Sequence, residues 1–139
     1  MEPIEIFRYK FNTYKQAIEG FVRSLQIETS NFDEVVRDSI KNGQIQKFEY
    51  CAELTWKIAR RFLYLFAGLD ANSPKEAVKK LFLSRHIEQK DYETLMEMID
   101  DRNMLSHIYR VEYFDKIHAK LISYSKLMER VIAIIEEKH

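Results

Sequence analysis

Apolar residues recur at helical spacing over most of this chain. Phe7, Phe11, Tyr14, Ile18, Phe21 and Leu25 step by four, three, four, three and four, which lays one apolar stripe along a helix of about twenty residues. A polar break follows at Glu28–Asn31, where Ser30 is placed to cap the next helix and Asp33 lies in its first turn. That helix is expected to be short and to stop at Asn42-Gly43, because glycine closes helices readily. From Ile45 to Phe66 a further helix turns Phe48, Ala52, Ala59, Phe62, Leu63 and Phe66 inward, with Trp56 beside them, and Gly68 ends it. The clearest start signal is NSPKEAVKKLF. Ser73 is the N-cap, Pro74 takes the first helical position, and Glu76 closes a capping box on a helix reaching about Leu83.

SRHIEQK reads as a connector. Asp91 is expected to cap a helix carrying Tyr92, Leu95, Met96 and Ile99. A final single helix is predicted from Phe114, Ile117, Leu121, Tyr124, Met128, Val131 and Ile135, with Leu127 and Ile134 broadening its stripe. No segment alternates with the period of a strand, and three glycines and two prolines are too few for a turn-rich β domain. The expected fold is all-α: an antiparallel up-and-down bundle of four long helices plus short ones, forming one domain over residues 1–139. Its wide aromatic stripes exceed what one small bundle needs to bury, which points to a homodimer.

Composition narrows the function. The chain has 22 basic and 22 acidic residues, so no global field draws in nucleic acid or an anionic membrane, and any such binding must come from a local patch. Cys51 is the only cysteine, which removes intrachain disulfides and CxxC metal sites and reads as a small buried residue. MEPIEIFRYK lacks the basic and apolar regions of a secretory signal, and no apolar run approaches membrane-spanning length, so a cytoplasmic location is expected. No cofactor or metal is expected.

Two places carry chemistry. Glu49, Glu53, Lys57 and Arg60 form a strip on one helix, with Glu53 and Lys57 an i,i+4 pair; by itself this is a solvated, salt-laced face. The stretch DRNMLSHIYR (101–110) gathers an arginine, a histidine and a tyrosine. On an ideal helix Arg102 and His107 are about 140° apart, whereas Arg102 and Ser106, or Asn103 and His107, share a face. Arg102 and His107 therefore cooperate only if the helix breaks by about Ser106 or if the site spans two subunits. An arginine fork suits a phosphate, and a histidine trades a proton near neutral pH, so the pair is sufficient for attack of a 2′-hydroxyl on the adjacent phosphorus without a metal. The plain alternative is a helix end at which the histidine caps carbonyls and Arg102 pairs with Asp100, Asp101 or Glu97. Spacing alone leaves both readings open. Arg110, Lys116 and Lys120 are the best flanking cations, Arg85 and His86 lie in the connector, and His118 and His139 carry no signal.

The motifs taken together resemble a known family. Arg102-Asn103-x3-His107-x-Tyr109 is similar to the R-x4-H-x-Y motif of the HEPN superfamily, in the branch paired with minimal nucleotidyltransferases. IQKFEYCAELTWK (45–57) resembles that branch's I-Q-x-F-E-x3-E-x2-W-K signature, NSPKEAVKKLF its S-P-x6-F segment, and MIDDRNMLSHIY its M-x3-R-N-x3-H-x-Y block. The resemblance covers Ile45 to Tyr109. It implies a homodimeric helical bundle with the motif near a cleft between subunits, and a toxin of the toxin–antitoxin kind acting as a metal-independent ribonuclease. It makes Arg102 and His107 the catalytic pair, Asn103 their polar support, and Tyr109 the site at which the partner nucleotidyltransferase adds AMP. It also raises a cleft or partner role for Glu49, Glu53 and Lys57. An older label for such chains implies a non-catalytic substrate-binding or nucleotide-binding subunit of a nucleotidyltransferase, and an inert dimeric scaffold is the blandest reading. The partners implied are a second copy, a nucleotidyltransferase encoded nearby, and RNA as substrate.

Overall fold

The computed structural model describes residues 1–107 and 111–138, and all regular structure among them is helical. α1 spans Pro3–Leu25, α2 Glu34–Phe62, α3 Pro74–Leu83, α4 Gln89–His107, α5 Val111–His118 and α6 Leu121–Lys138. Four of these are long, with 23, 29, 19 and 18 residues in α1, α2, α4 and α6. None among the described residues is long and apolar enough to cross a membrane.

Side-chain contacts fix the directions. Along α1 the sequence Phe7, Tyr14, Phe21, Ser24 meets Phe66 just past the end of α2 and then Thr55, Phe48 and Gln44 within it, so α1 and α2 run antiparallel. α4 and α6 are also antiparallel, through Asp91–Arg130 at one end and Asp101–Tyr124 at the other. α3 and α4 repeat the relation, with Lys75 on Asp100 and Phe82 stacked on Tyr92. The stripe that predicted α1 is its buried face, from Phe7 to Phe21. The core gathers Phe48, Phe62, Leu63, Leu95, Met98, Tyr124 and Leu127, with Phe48 stacked on Tyr124 at 5.4 Å. The Tyr14 hydroxyl sits inside it at 2.9 Å from Thr55 Oγ1. Thr55 already donates to the Cys51 carbonyl, so Tyr14 is the donor of that bond. Burial pushes the Cys51 thiol up to about 12, which makes it an inert packing residue.

Four boundary expectations are corrected. The stop at Asn42-Gly43 does not occur: α2 passes through both residues. Gln44, Ile45 and Phe48 bury themselves on the next turns, and their packing outweighs the glycine's penalty of about 1 kcal/mol. The cap of α2 is Asp33, whose side chain accepts from Val36 N–H, and not Ser30. Asp91 lies inside the first turn of α4, where it accepts both Nη2 and Nε of Arg130. The final stripe is divided into α5 and α6 by a turn at Ala119–Lys120 that keeps Ile117 and Leu121 on one face.

Two other signals hold. Ser73 Oγ accepts from Glu76 N–H, although the Glu76 carboxylate returns to Asn72 N–H. After α2 the chain makes one π-helical turn, Leu63–Ala67, and Gly68 closes it at φ +66°, a left-handed conformation suited to glycine.

Candidate functional site

α4 does not break at Ser106. It remains helical through His107. The stretch from Asp101 to His107 contains no glycine or proline, and Arg102 Nη1 donates to Ser106 Oγ at 2.8 Å across one turn. The condition for bringing Arg102 and His107 together within one chain is therefore not met. The two side chains leave the helix about 140° apart and about 7.5 Å apart along its axis. His107 is exposed in the last turn, and Asn103 is exposed one turn before it. Tyr109 and Arg110 lie outside the described residues.

Arg102 turns toward α2. Its Nε lies 3.9 Å from Glu53 Oε2, close enough for an ion pair but too long for a hydrogen bond. This Nε is buried and makes no hydrogen bond among the described residues. Glu53 also meets Lys57 at 3.5 Å, so one carboxylate faces two cations. Glu53 and Lys57 of the strip on α2 therefore lie in the surroundings of Arg102, while Glu49 is half-buried one turn earlier. Trp56 is half-buried rather than fully in the core, and its Nε1 is the other buried side-chain donor with no acceptor among the described residues.

The acids that local spacing offered to Arg102 are engaged elsewhere. Asp100 pairs with Lys75 at 2.7 Å. Lys120 bridges Glu97 at 2.7 Å and Asp101 at 3.0 Å, and Tyr124 donates to the same Asp101 oxygen at 2.5 Å. Burial and the neighbouring Asp101 charge hold the Tyr124 hydroxyl far above its ordinary range, so it stays a donor. These contacts fix the residue before Arg102 against α6 and leave Arg102 for Glu53. They also withdraw Lys120 from the cations available to a ligand, and Lys116 lies over the Tyr113 ring. Arg85 adopts φ +65° at the end of α3, where its N–H and that of His86 close the helix on Phe82 and Leu81 carbonyls. His86 then bonds Ser84 and sets its ring edge-on to Phe62 at 5.1 Å. That pair is structural. His118 donates from Nε2 to Gln44 Oε1 at 2.6 Å, a role the sequence did not signal.

The chemistry available is an arginine with one unused inward N–H beside an acid–lysine pair, and an exposed histidine further along the same helix. No group of three or more metal-ligating side chains gathers among the described residues.

Residues 9–137 match the model of the family described as "Nucleotidyltransferase substrate binding protein like". The chain belongs to that family. A structure from Thermus thermophilus superposes with a TM-score of 0.77 at 24% identity, covering 88% of this chain and 98% of that one. The tri-AMPylated HEPN toxin of Shewanella oneidensis, solved in complex with its MNT antitoxin, gives a TM-score of 0.72 at 20% identity, covering 99% of both chains. At these identities the two structures share the HEPN fold with this chain. No curated protein matches it.

Proposed function

We propose that this HEPN-family chain is a metal-independent endoribonuclease of the toxin type, acting as a homodimer and controlled by a cognate nucleotidyltransferase. The observation that carries the reading is the state of Arg102: Ser106 and Glu53 hold its guanidinium in place, while 32% of the side chain stays open to solvent. A phosphodiester oxygen is the acceptor that a guanidinium fork suits best. His107, exposed at the carboxyl end of α4, removes the proton from a 2′-hydroxyl. The hydroxyl oxygen attacks the adjacent phosphorus, the P–O5′ bond breaks, and the departing 5′-oxygen takes up a proton. The products are a 2′,3′-cyclic phosphate and a 5′-hydroxyl end. Arg102 stabilises the charge that builds on the phosphoryl oxygens.

The continuous α4 requires a particular assembly for this. Arg102 of one protomer works with His107 of its partner, across a twofold cleft, with Asn103 beside His107 as polar support. Transfer of AMP to Tyr109 by the nucleotidyltransferase places a phosphate and a base two residues from His107 and excludes RNA. Support for such a partner comes from the family description and from the toxin–antitoxin complex that shares the fold.

The test is expression of the wild-type chain beside Arg102→Ala and His107→Ala, scoring growth and RNA integrity. Wild type alone should arrest growth and cleave RNA, and co-expression of the nucleotidyltransferase should relieve it with one or more AMP masses on the Tyr109 peptide. Intact RNA in all three strains would sink the ribonuclease reading. The family description and the unbroken α4 then favour the second reading, a non-catalytic subunit that presents substrate to the nucleotidyltransferase.

A further inference from the structure

A groove of about 840 Å³ runs along the seam between α1 and α2, on the side of α2 next to the Glu53–Arg102 contact. Three exposed tyrosines line it: Tyr9, Tyr50 and Tyr64, at 71%, 55% and 64% exposure. Unlike the buried Tyr14 and Tyr124, these rings present broad faces to solvent. Lys10, Lys57, Arg60 and Arg61 line the same groove, against one acid, Asp70. Lys10, Arg60 and Arg61 are exposed and make no ion pair among the described residues. In a chain whose charges cancel overall, this is a concentrated cationic tract.

The arrangement follows from α2 and the start of the π-helical turn that continues it. Tyr50, Leu54, Lys57, Arg61 and Tyr64 fall within an arc of about 80° on an ideal helix, and the first and last are about 21 Å apart along it. That separation is too long for one nucleotide to touch both tyrosines and suits a run of several. The Glu53 strip lies next to this arc, and Lys57 belongs to both: it lines the groove and pairs with Glu53, which faces Arg102.

We propose that the α1–α2 groove is a binding tract for single-stranded RNA, in which Tyr9, Tyr50 and Tyr64 stack unpaired bases and Lys10, Arg60 and Arg61 neutralise phosphates. Stacking on aromatic faces plus a basic track is how proteins hold single strands without reading sequence. The tract deepens the ribonuclease reading, on which it rests for the identity of the strand, by giving the RNA a path that ends at Lys57 and Arg102. A second copy of the chain is a poor occupant, because a self-complementary contact here brings one cationic tract against another with Asp70 as the one lining acid to offset it. An acidic protein surface would meet the cations but leaves the spaced, solvent-facing rings without a role.

The test is fluorescence anisotropy of a labelled, unstructured ten-nucleotide RNA with the full-length His107→Ala protein, which removes cleavage from the measurement. The tract predicts binding that weakens steeply with added salt and is competed poorly by the same sequence as a duplex. Tyr50→Ala and Tyr64→Ala should each weaken binding by about five-fold to a hundred-fold, the loss expected for one stacked base. Arg60→Glu with Arg61→Glu should weaken it at least as much, with helicity unchanged by circular dichroism. Unaltered RNA affinity in these variants overturns the proposal. So does unaltered RNA affinity accompanied by lost dimerisation or lost nucleotidyltransferase binding, which assigns the groove to a protein. Failure of the two ideas is separable. Groove-dependent RNA binding by a wild-type chain that never cleaves removes the ribonuclease and leaves the tract, whereas cleavage with unchanged KM in the groove variants does the reverse.

Discussion

Arg102 donates from Nη1 to Ser106 one turn further along α4 and reaches Glu53 of α2 with its Nε side. That relationship decides the geometry of the site, since it needs the helix to stay intact where a break would have brought His107 round. An undistorted α4 points the arginine and the histidine of one chain about 140° apart, and the proposed dimeric site would join them across two copies.

Mixing two dead variants tests that arrangement. Arg102→Ala and His107→Ala, each inactive alone, should regain about a quarter of wild-type cleavage after co-refolding, because half the dimers are mixed and each of these keeps one complete site. RNA cleavage is the readout. No recovery from a mixture shown to contain heterodimers would place both residues in one chain's site.

Gly43 offers a stability test of the corrected α2. It lies inside the helix with no atom within 4 Å of where a Cβ would stand, and its φ is not left-handed. Gly43→Ala should therefore stabilise the protein by about 0.5–1 kcal/mol, read as a raised urea midpoint at constant slope. A helix stop at Asn42-Gly43 predicts a loss instead.

Much of the fold was legible because apolar stripes report burial directly, as in Phe7 to Phe21 and in the Ser73-Pro74 start. The errors share a cause: local signals were outweighed by contacts with residues far along the chain. Gly43 reads as a stop unless one knows that Gln44 reaches the Ser24 carbonyl and Phe48 meets Tyr124. The turn at Ala119–Lys120 is silent in the pattern because Ile117 and Leu121 stay on one face across it. The partner of Arg102 was hidden in the same way. Glu97, Asp100 and Asp101 are nearer in sequence than Glu53, but Lys75, Lys120 and Tyr124 occupy them. The aromatic–basic arc of α2 is present in the sequence as Tyr50, Lys57, Arg61 and Tyr64, but the adjoining Glu49–Glu53 strip masks it until α1 is seen to form the groove's other wall.

Removing the Asp101 carboxylate should be costly although it lies at the bundle's edge. Asp101→Ala strips Tyr124 and Lys120 of an acceptor, and a loss of about 1–3 kcal/mol is expected from chemical denaturation. Tyr124→Phe should cost less, since it removes the donor and leaves Asp101 with Lys120. Equal losses would mean the network carries no more than its packing.

Acid should loosen the fold through two histidines. Burial, with Lys138 near His86 and Lys41 near His118, lowers both below the ordinary histidine value. The folded state therefore favours their neutral forms. This contribution is full above about pH 6.5 and is lost as pH falls through the lowered values. The urea midpoint should drop between about pH 7.5 and about pH 5.5, and the double variant His86→Gln, His118→Gln should flatten that slope. An unchanged slope would remove the two histidines as its source.

The anchoring of Asp101 has a consequence for how chain length can vary. Asp101 locks onto α6 and Arg102, about 100° further round, onto α2, so α4 is indexed in rotation like a toothed shaft. One residue inserted between the Asp91–Arg130 pair and Asp101 would advance every later side chain by that angle and mesh none of them. Insertions in diverged members of the family should therefore collect in the segments before α2 and α3, and the span from Asp91 to Ser106 should keep its residue count even where its letters change.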